Sequence, residues 1–109
     1  MATKSKSLKI SKKLKLSEES YLMIQCAEEA SEVAQAFGKA LRFGLNDSYK
    51  DYGTPLDNIR HELNDLLAVV YLWEEYEKRG AFGNMESQKI KRDKVLKMMQ
   101  YARERGQVV

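Results

Sequence analysis

Two acidic clusters stand inside otherwise apolar helical patterns: Glu28-Glu29-Ala30-Ser31-Glu32, and Glu62-Leu63-Asn64-Asp65. Residues three apart on an α-helix lie about 60° apart around its axis. Glu29 and Glu32 therefore share a face, and so do Glu62 and Asp65. Packing the two helices together directs four carboxylates toward one region. Left alone they would repel, raise one another's pKa and weaken the fold. A hard divalent cation resolves the conflict, because Mg²⁺ and Mn²⁺ prefer oxygen ligands. An ion held in that way is a Lewis acid and an activator of water.

Helices must position these acids, and the chain is built for helices. Its 109 residues suffice for one domain, with 43% apolar and 32% charged residues. A single Pro and only six Gly favour a few long elements over a turn-rich β fold. The expected architecture is an all-α bundle of about three to four helices per chain, completed by dimer or tetramer formation.

The first helix is expected from Ser17, as N-cap, to about Arg42, with Glu18 and Glu19 in its first turn and Gly44 as its stop. Its apolar stripe reads Met23 or Ile24, Cys26, Ala27, Ala30, Val33, Ala34, Phe37 and Leu41, at spacings of three and four. Residues 45–53 read as a loop, with room for one short helical turn. Thr54-Pro55-Leu56-Asp57 is a strong helix start. The second helix is expected to reach about Arg79, before Gly80. Its stripe is Leu56, Ile59, Leu63, Leu66, Leu67, Val70 and Trp73 or Leu72. A third helix is expected from about Met85 to Glu104. It is apolar at Ile90, Val95, Leu96, Met98, Met99 and Ala102, and basic at Lys89, Lys91, Arg92, Lys94 and Lys97. Three helices leave wide apolar faces on the first two, which a second subunit would cover.

Charge divides the chain into a basic arm, residues 1–16, and a domain, residues 17–109. The net charge is +3, yet six of the nineteen basic residues lie in the arm, which has no acid. The remainder has 13 basic against 16 acidic residues. Such an arm is a possible contact for nucleic acid, although a solvated tail is the simpler reading. No run is long enough to span a membrane, and the arm lacks the apolar stretch of a secretory signal. A cytoplasmic protein is the default expectation. Cys26 is the single cysteine, so no internal disulfide forms, and a structural role is expected. A carboxylate-bridged di-iron bundle would use two Glu-x-x-His motifs, whereas His61 is the single histidine. His61 is expected at a boundary or on the surface rather than as a ligand.

The two clusters, EEASE and ELND, with the flanking text AEEASEVAQAFGKALRFG and IRHELNDLLAVVYLWE, resemble the MazG-like all-α nucleoside triphosphate pyrophosphohydrolases. The likeness is to the short single-domain forms of phages and bacteria, whose signature is EExxE followed by ExxD. It covers roughly residues 18–102. The spacer of 29 residues between Glu32 and Glu62 is at or beyond the family's usual upper limit, which implies a long connecting loop.

The resemblance implies hydrolysis of an NTP or dNTP to the monophosphate and pyrophosphate, for nucleotide-pool control, with Mg²⁺ or Mn²⁺ as cofactor. It implies that Glu29, Glu32, Glu62 and Asp65 bind metal, with Glu28 a further ligand or base. It assigns Lys91 and Lys94, with Tyr101 nearby, to the phosphates. Gln25, one turn before Glu29, is placed to hydrogen-bond a base or ribose. Phe37, Phe43, Trp73 and Tyr76 are available for stacking, although Phe37 and Trp73 suit a core as well, and Arg42 and Asn58 are weaker candidates. The rival expectation is a non-enzymatic helical module that uses the arm and third helix to hold nucleic acid or a protein partner.

Overall fold

The computed structural model describes residues 15–48 and 53–109. The expected arm therefore lies outside the described residues up to residue 14, as does part of the expected loop, residues 49–52. Three helices and no strand are found among the described residues: α1 Glu18–Phe43, α2 Pro55–Glu77 and α3 Met85–Glu104.

Each helix starts on the residue whose side chain can replace a missing backbone partner. Ser17 Oγ accepts from the Ser20 N–H at 3.0 Å. Thr54 Oγ1 accepts from the Asp57 N–H at 3.1 Å, and the Asp57 carboxylate accepts from the Thr54 N–H at 3.3 Å. This reciprocal box, with Pro55 at the first helical position, fixes the start of α2. Asn84 Oδ1 accepts from the Ser87 N–H at 2.9 Å and starts α3.

Gly44 ends α1 with φ 86°, a backbone state that its lack of a Cβ permits, and its N–H donates to the Ala40 carbonyl. α2 stops two residues earlier than the glycine signal at Gly80 suggests. Lys78 adopts the left-handed conformation, φ 62°, while its N–H donates to the Glu74 carbonyl. The Glu77 carboxylate then accepts from the Arg79 N–H at 3.1 Å.

α1 and α2 form an antiparallel hairpin. Tyr21 shares a groove with Leu72 and Tyr76 at one end, and Lys39 shares one with Pro55 and Asn58 at the other. The Leu56 N–H donates to the Leu45 carbonyl and closes the base of the loop. Ala36, Ala40 and Ile59 form the buried apolar contact, and the two small residues let the helices approach closely.

The expected stripe on α1 is only partly turned to α2: Ile24, Cys26 and Val33 are half-buried. Ala27, Ala30 and Ala34 are exposed, as are Met23, Phe37 and Leu41, the last at 88%. The side of α1 turned to α2 carries Glu28, Ala36 and Ala40 instead. On α2, Ile59 is buried and Leu66, Val70 and Trp73 are half-buried, whereas Leu63, Leu67 and Leu72 are exposed.

α3 packs against neither α1 nor α2 and buries none of its residues. Its approach is set by the turn before it. Phe82 folds back so that its ring lies 5.4 Å from that of Tyr71, and its N–H donates to the Glu74 carboxylate. Ile90, Val95, Leu96, Met98 and Met99 are all exposed, and only Ala102 of the expected stripe is half-buried. No helix among the described residues is long and apolar enough to cross a membrane.

Candidate metal centre

The acidic segments occupy the middle of the α1–α2 seam. Glu28 and Glu62, one from each helix, are the buried charged residues, each 4% exposed. Glu29, Glu32 and Asp65 are half-buried beside them. The helical spacing that aligns the acids on each helix places them along the seam.

Glu28 is the most constrained. Both of its carboxylate oxygens are buried and have no hydrogen-bond partner. Removing a carboxylate from water costs several kcal/mol even after relaxation, and here no hydrogen bond offsets that cost. A cation held beside it would offset that cost. The donor set of carboxylate oxygens is the one a hard divalent ion selects.

On α2 the acids are drawn together with a residue that sequence reasoning set aside. The His61 Nε2 lies 3.4 Å from an Asp65 carboxylate oxygen and 3.9 Å from one of Glu62. Ligand atoms of His61, Glu62 and Asp65 all fall within 4.8 Å of one another. Among the described residues this is the group of three or more His, Cys, Asp and Glu side chains compact enough to hold an ion. His61 is exposed, as expected of a boundary residue, but its reach to Asp65 follows from their separation of four. That separation was visible in the sequence. Glu28, Glu29 and Glu32 are not in this compact group. They stand on the facing helix.

Gln25 is half-buried on α1, one turn before Glu29. Lys91, Lys94 and Tyr101 are exposed on α3, which does not pack on the seam of its own chain. Tyr101 is engaged locally: the Arg105 guanidinium donates to its hydroxyl at 3.2 Å and lies 5.4 Å from its ring centre. Of the aromatics considered for stacking, Trp73 is half-buried with its indole N–H unpartnered, and Phe37, Phe43 and Tyr76 are exposed.

Cys26 borders a small apolar hollow with Met23, Val70 and Trp73, and burial pushes its thiol pKa up. A thiol held in its neutral form is a packing group rather than a nucleophile. At the N-terminal end of α1 the Tyr76 hydroxyl donates to the Glu18 carboxylate. That bond, reinforced by the charge of Glu18, raises the phenol above its ordinary value.

No family model, no curated protein and no solved structure matches this chain.

Proposed function

We propose that this chain is a divalent-metal-dependent hydrolase that converts a nucleoside triphosphate to the monophosphate and pyrophosphate. The observation that carries the reading is Glu28: a carboxylate buried in a helical seam with neither oxygen hydrogen-bonded, opposite a second helix bearing Glu62 and Asp65. A merely solvated acidic face would leave such groups in water. The EEASE and ELND segments add the family resemblance.

In this reading Glu29, Glu32, Glu62 and Asp65 hold the ion, and His61 orients Asp65. Mg²⁺ or Mn²⁺ held by these residues would supply positive charge against the phosphates and would lower the pKa of water. Water oxygen attacks the α-phosphorus, the bond from that phosphorus to the bridging oxygen breaks, and pyrophosphate leaves. Glu28 accepts the proton that the water gives up. The remaining requirement is alignment, which phosphoryl transfer depends on above all.

The protein works as a dimer or tetramer in this account. Large apolar side chains on the outer face of α1 and along α3 are uncovered in a single chain, at a density that monomers seldom expose. Lys91, Lys94 and Tyr101 then meet an acidic seam by way of another copy. The exposed, Lys-rich α3 also favours a second reading, a helical module that binds nucleic acid. It predicts affinity that falls steeply with salt and survives loss of the carboxylates.

The test is pyrophosphate release from a panel of NTPs and dNTPs, with Mg²⁺, with Mn²⁺ and with EDTA, alongside Glu32→Gln. Release that needs metal and disappears in the variant supports the hydrolase. Absence of release from every nucleotide overturns it.

A further inference from the structure

Residues seven apart on a helix lie two turns apart and within about 20° of one another. One edge of the hairpin therefore carries Tyr21 and Glu28 in a line on α1, as it does Glu32 and Lys39, with Arg42 about four turns beyond Glu28 and about 40° off it. α2 contributes Asn58, Asp65 and Leu72 to the same edge at the same spacing. The acids stand in the middle of this edge, and a groove lies at each end.

The two grooves differ in chemistry. Beyond Glu28 toward the start of α1, a cavity of about 450 Å³ is walled by Tyr21, Leu22, Leu72 and Tyr76, with Glu18 at its rim. Toward the end of α1, a cavity of about 310 Å³ is bordered by Lys39, Phe43, Asn58 and the Thr54–Pro55 start of α2. Asp47 also lines it. A shallow hollow next to it joins Lys39 to Arg42. Each groove takes in one helix start, Ser17–Glu18 of α1 at the first and Thr54–Pro55 of α2 at the second, so the helix dipoles do not tell the two ends apart.

We propose that the nucleotide lies along this edge with a fixed polarity. Its base rests in the tyrosine groove, its α-phosphate at the acids, and its departing pyrophosphate on Lys39 and Arg42. The proposal rests on the hydrolase reading and adds which end of the substrate goes where.

Physical reasons favour this direction over the reverse. The tyrosine groove offers apolar and aromatic surface to a flat base, and Tyr76, which lines it, is exposed. A pyrophosphate there would meet the Glu18 carboxylate. At the opposite end it meets two cations. Helix side chains lean toward the N-terminus, so Lys39 and Arg42 reach back toward the acids. The axial distance from Glu32 to Lys39 is about 10.5 Å, which a diphosphate and a lysine side chain bridge together. Cations placed there meet negative charge as it develops on the leaving group. This assigns the pyrophosphate to the chain that holds the metal, rather than to Lys91 and Lys94 of α3.

The experiment measures the two products separately, by calorimetric titration with inorganic pyrophosphate and with a panel of nucleoside monophosphates, in Mg²⁺, on the full chain. Lys39→Ala with Arg42→Ala is expected to weaken pyrophosphate about tenfold or more and leave the monophosphate unchanged. Tyr21→Ala is expected to do the opposite, with a loss of about tenfold for the monophosphate. Tyr76→Phe, which keeps the ring and the fold, retains monophosphate affinity. Lys91→Ala with Lys94→Ala, the α3 variant, is titrated beside them. If the wild type hydrolyses nucleotides but the Lys39 and Tyr21 variants weaken both products alike, the polarity is wrong and the hydrolase reading stands. Weaker pyrophosphate only in the α3 variant also overturns the polarity. A wild type that hydrolyses nothing overturns both.

Discussion

The α1–α2 hairpin and α3 are equally good helices, yet they use their faces in opposite ways. The hairpin turns Glu28 and Glu62 inward with Ala36, Ala40 and Ile59, and leaves Met23, Phe37, Leu41, Leu63 and Leu67 outward. α3 has no inward face in its own chain, so its lysines and its methionines are exposed alike. A globular helix ordinarily buries its apolar stripe and wets its charges. The hairpin inverts that rule at Glu28 and Glu62, and the inversion marks where folding alone does not account for the residue choice. On α3 no side chain of its own chain enforces an arrangement, so its role depends on what it meets.

Breaking the seam should have the largest effect. Glu28→Gln is expected to lower turnover by about 10²–10⁴-fold, as loss of a general base does. The same change removes a buried charge that no hydrogen bond compensates, so the metal-free protein should melt at a higher temperature than the wild type. Steady-state kinetics and metal-free thermal unfolding check the two halves. Unchanged turnover would return Glu28 to a structural role.

Packing in the seam comes next. Ala36→Leu forces extra bulk between α1 and α2 and is expected to cost about 1–3 kcal/mol in denaturant unfolding. Ala34→Leu, on the outer face of the same helix, should cost less than this. Equal costs would mean that the outer face is as tightly covered as the seam.

The contrast with α3 is sharpened by charge. Phe37→Glu on α1 and Met98→Glu on α3 each place a carboxylate on an uncovered apolar surface. Both should shift the protein to monomer in sedimentation analysis while leaving helicity intact. A wild type that is already monomeric at micromolar concentration defeats the account of those surfaces.

The smallest effect belongs to the far end of the hairpin. The hydrogen bond to Glu18 raises the folded-state pKa of Tyr76 above the ordinary tyrosine value. A group raised in this way contributes fully below its unfolded pKa, near 10, and loses that contribution as pH climbs through the folded value. Wild type and Tyr76→Phe should therefore converge in stability as pH rises past that range. Denaturant titrations at neutral and alkaline pH measure it. A gap that does not change with pH would mean that the contact adds no stability.

The ends of the elements were legible in the sequence because caps are local chemistry. Ser17, Gly44, and Thr54 with Pro55 and Asp57 act through backbone groups within a turn of themselves. The end of α2 was less so, since Lys78 takes a left-handed state that is usually left to glycine or asparagine. The facing of α1 was not legible. Periodicity reports which residues are apolar, and Ala27, Ala30, Ala34, Phe37 and Leu41 do form a stripe. Which stripe meets the nearest helix depends on fit, and Ala36 and Ala40 allow the closer approach. The acids at Glu62 and Asp65 were picked out by type and spacing. His61 was passed over because a lone histidine carries little pattern, although its place four before Asp65 brings the two together. Lys39 and Tyr21 were not singled out, because the grooves they line form only once α2 lies alongside.

The measurement that tests the central claim most directly is metal binding itself, without nucleotide. Mn²⁺ titration followed by electron paramagnetic resonance counts bound ions on the wild type and on Glu62→Gln. The account predicts saturable binding to the wild type, competition by Mg²⁺, and loss of binding in the variant with its helicity retained. A wild type that binds no Mn²⁺, or a Glu62→Gln variant that binds it as well, would contradict the metal centre and the function built on it.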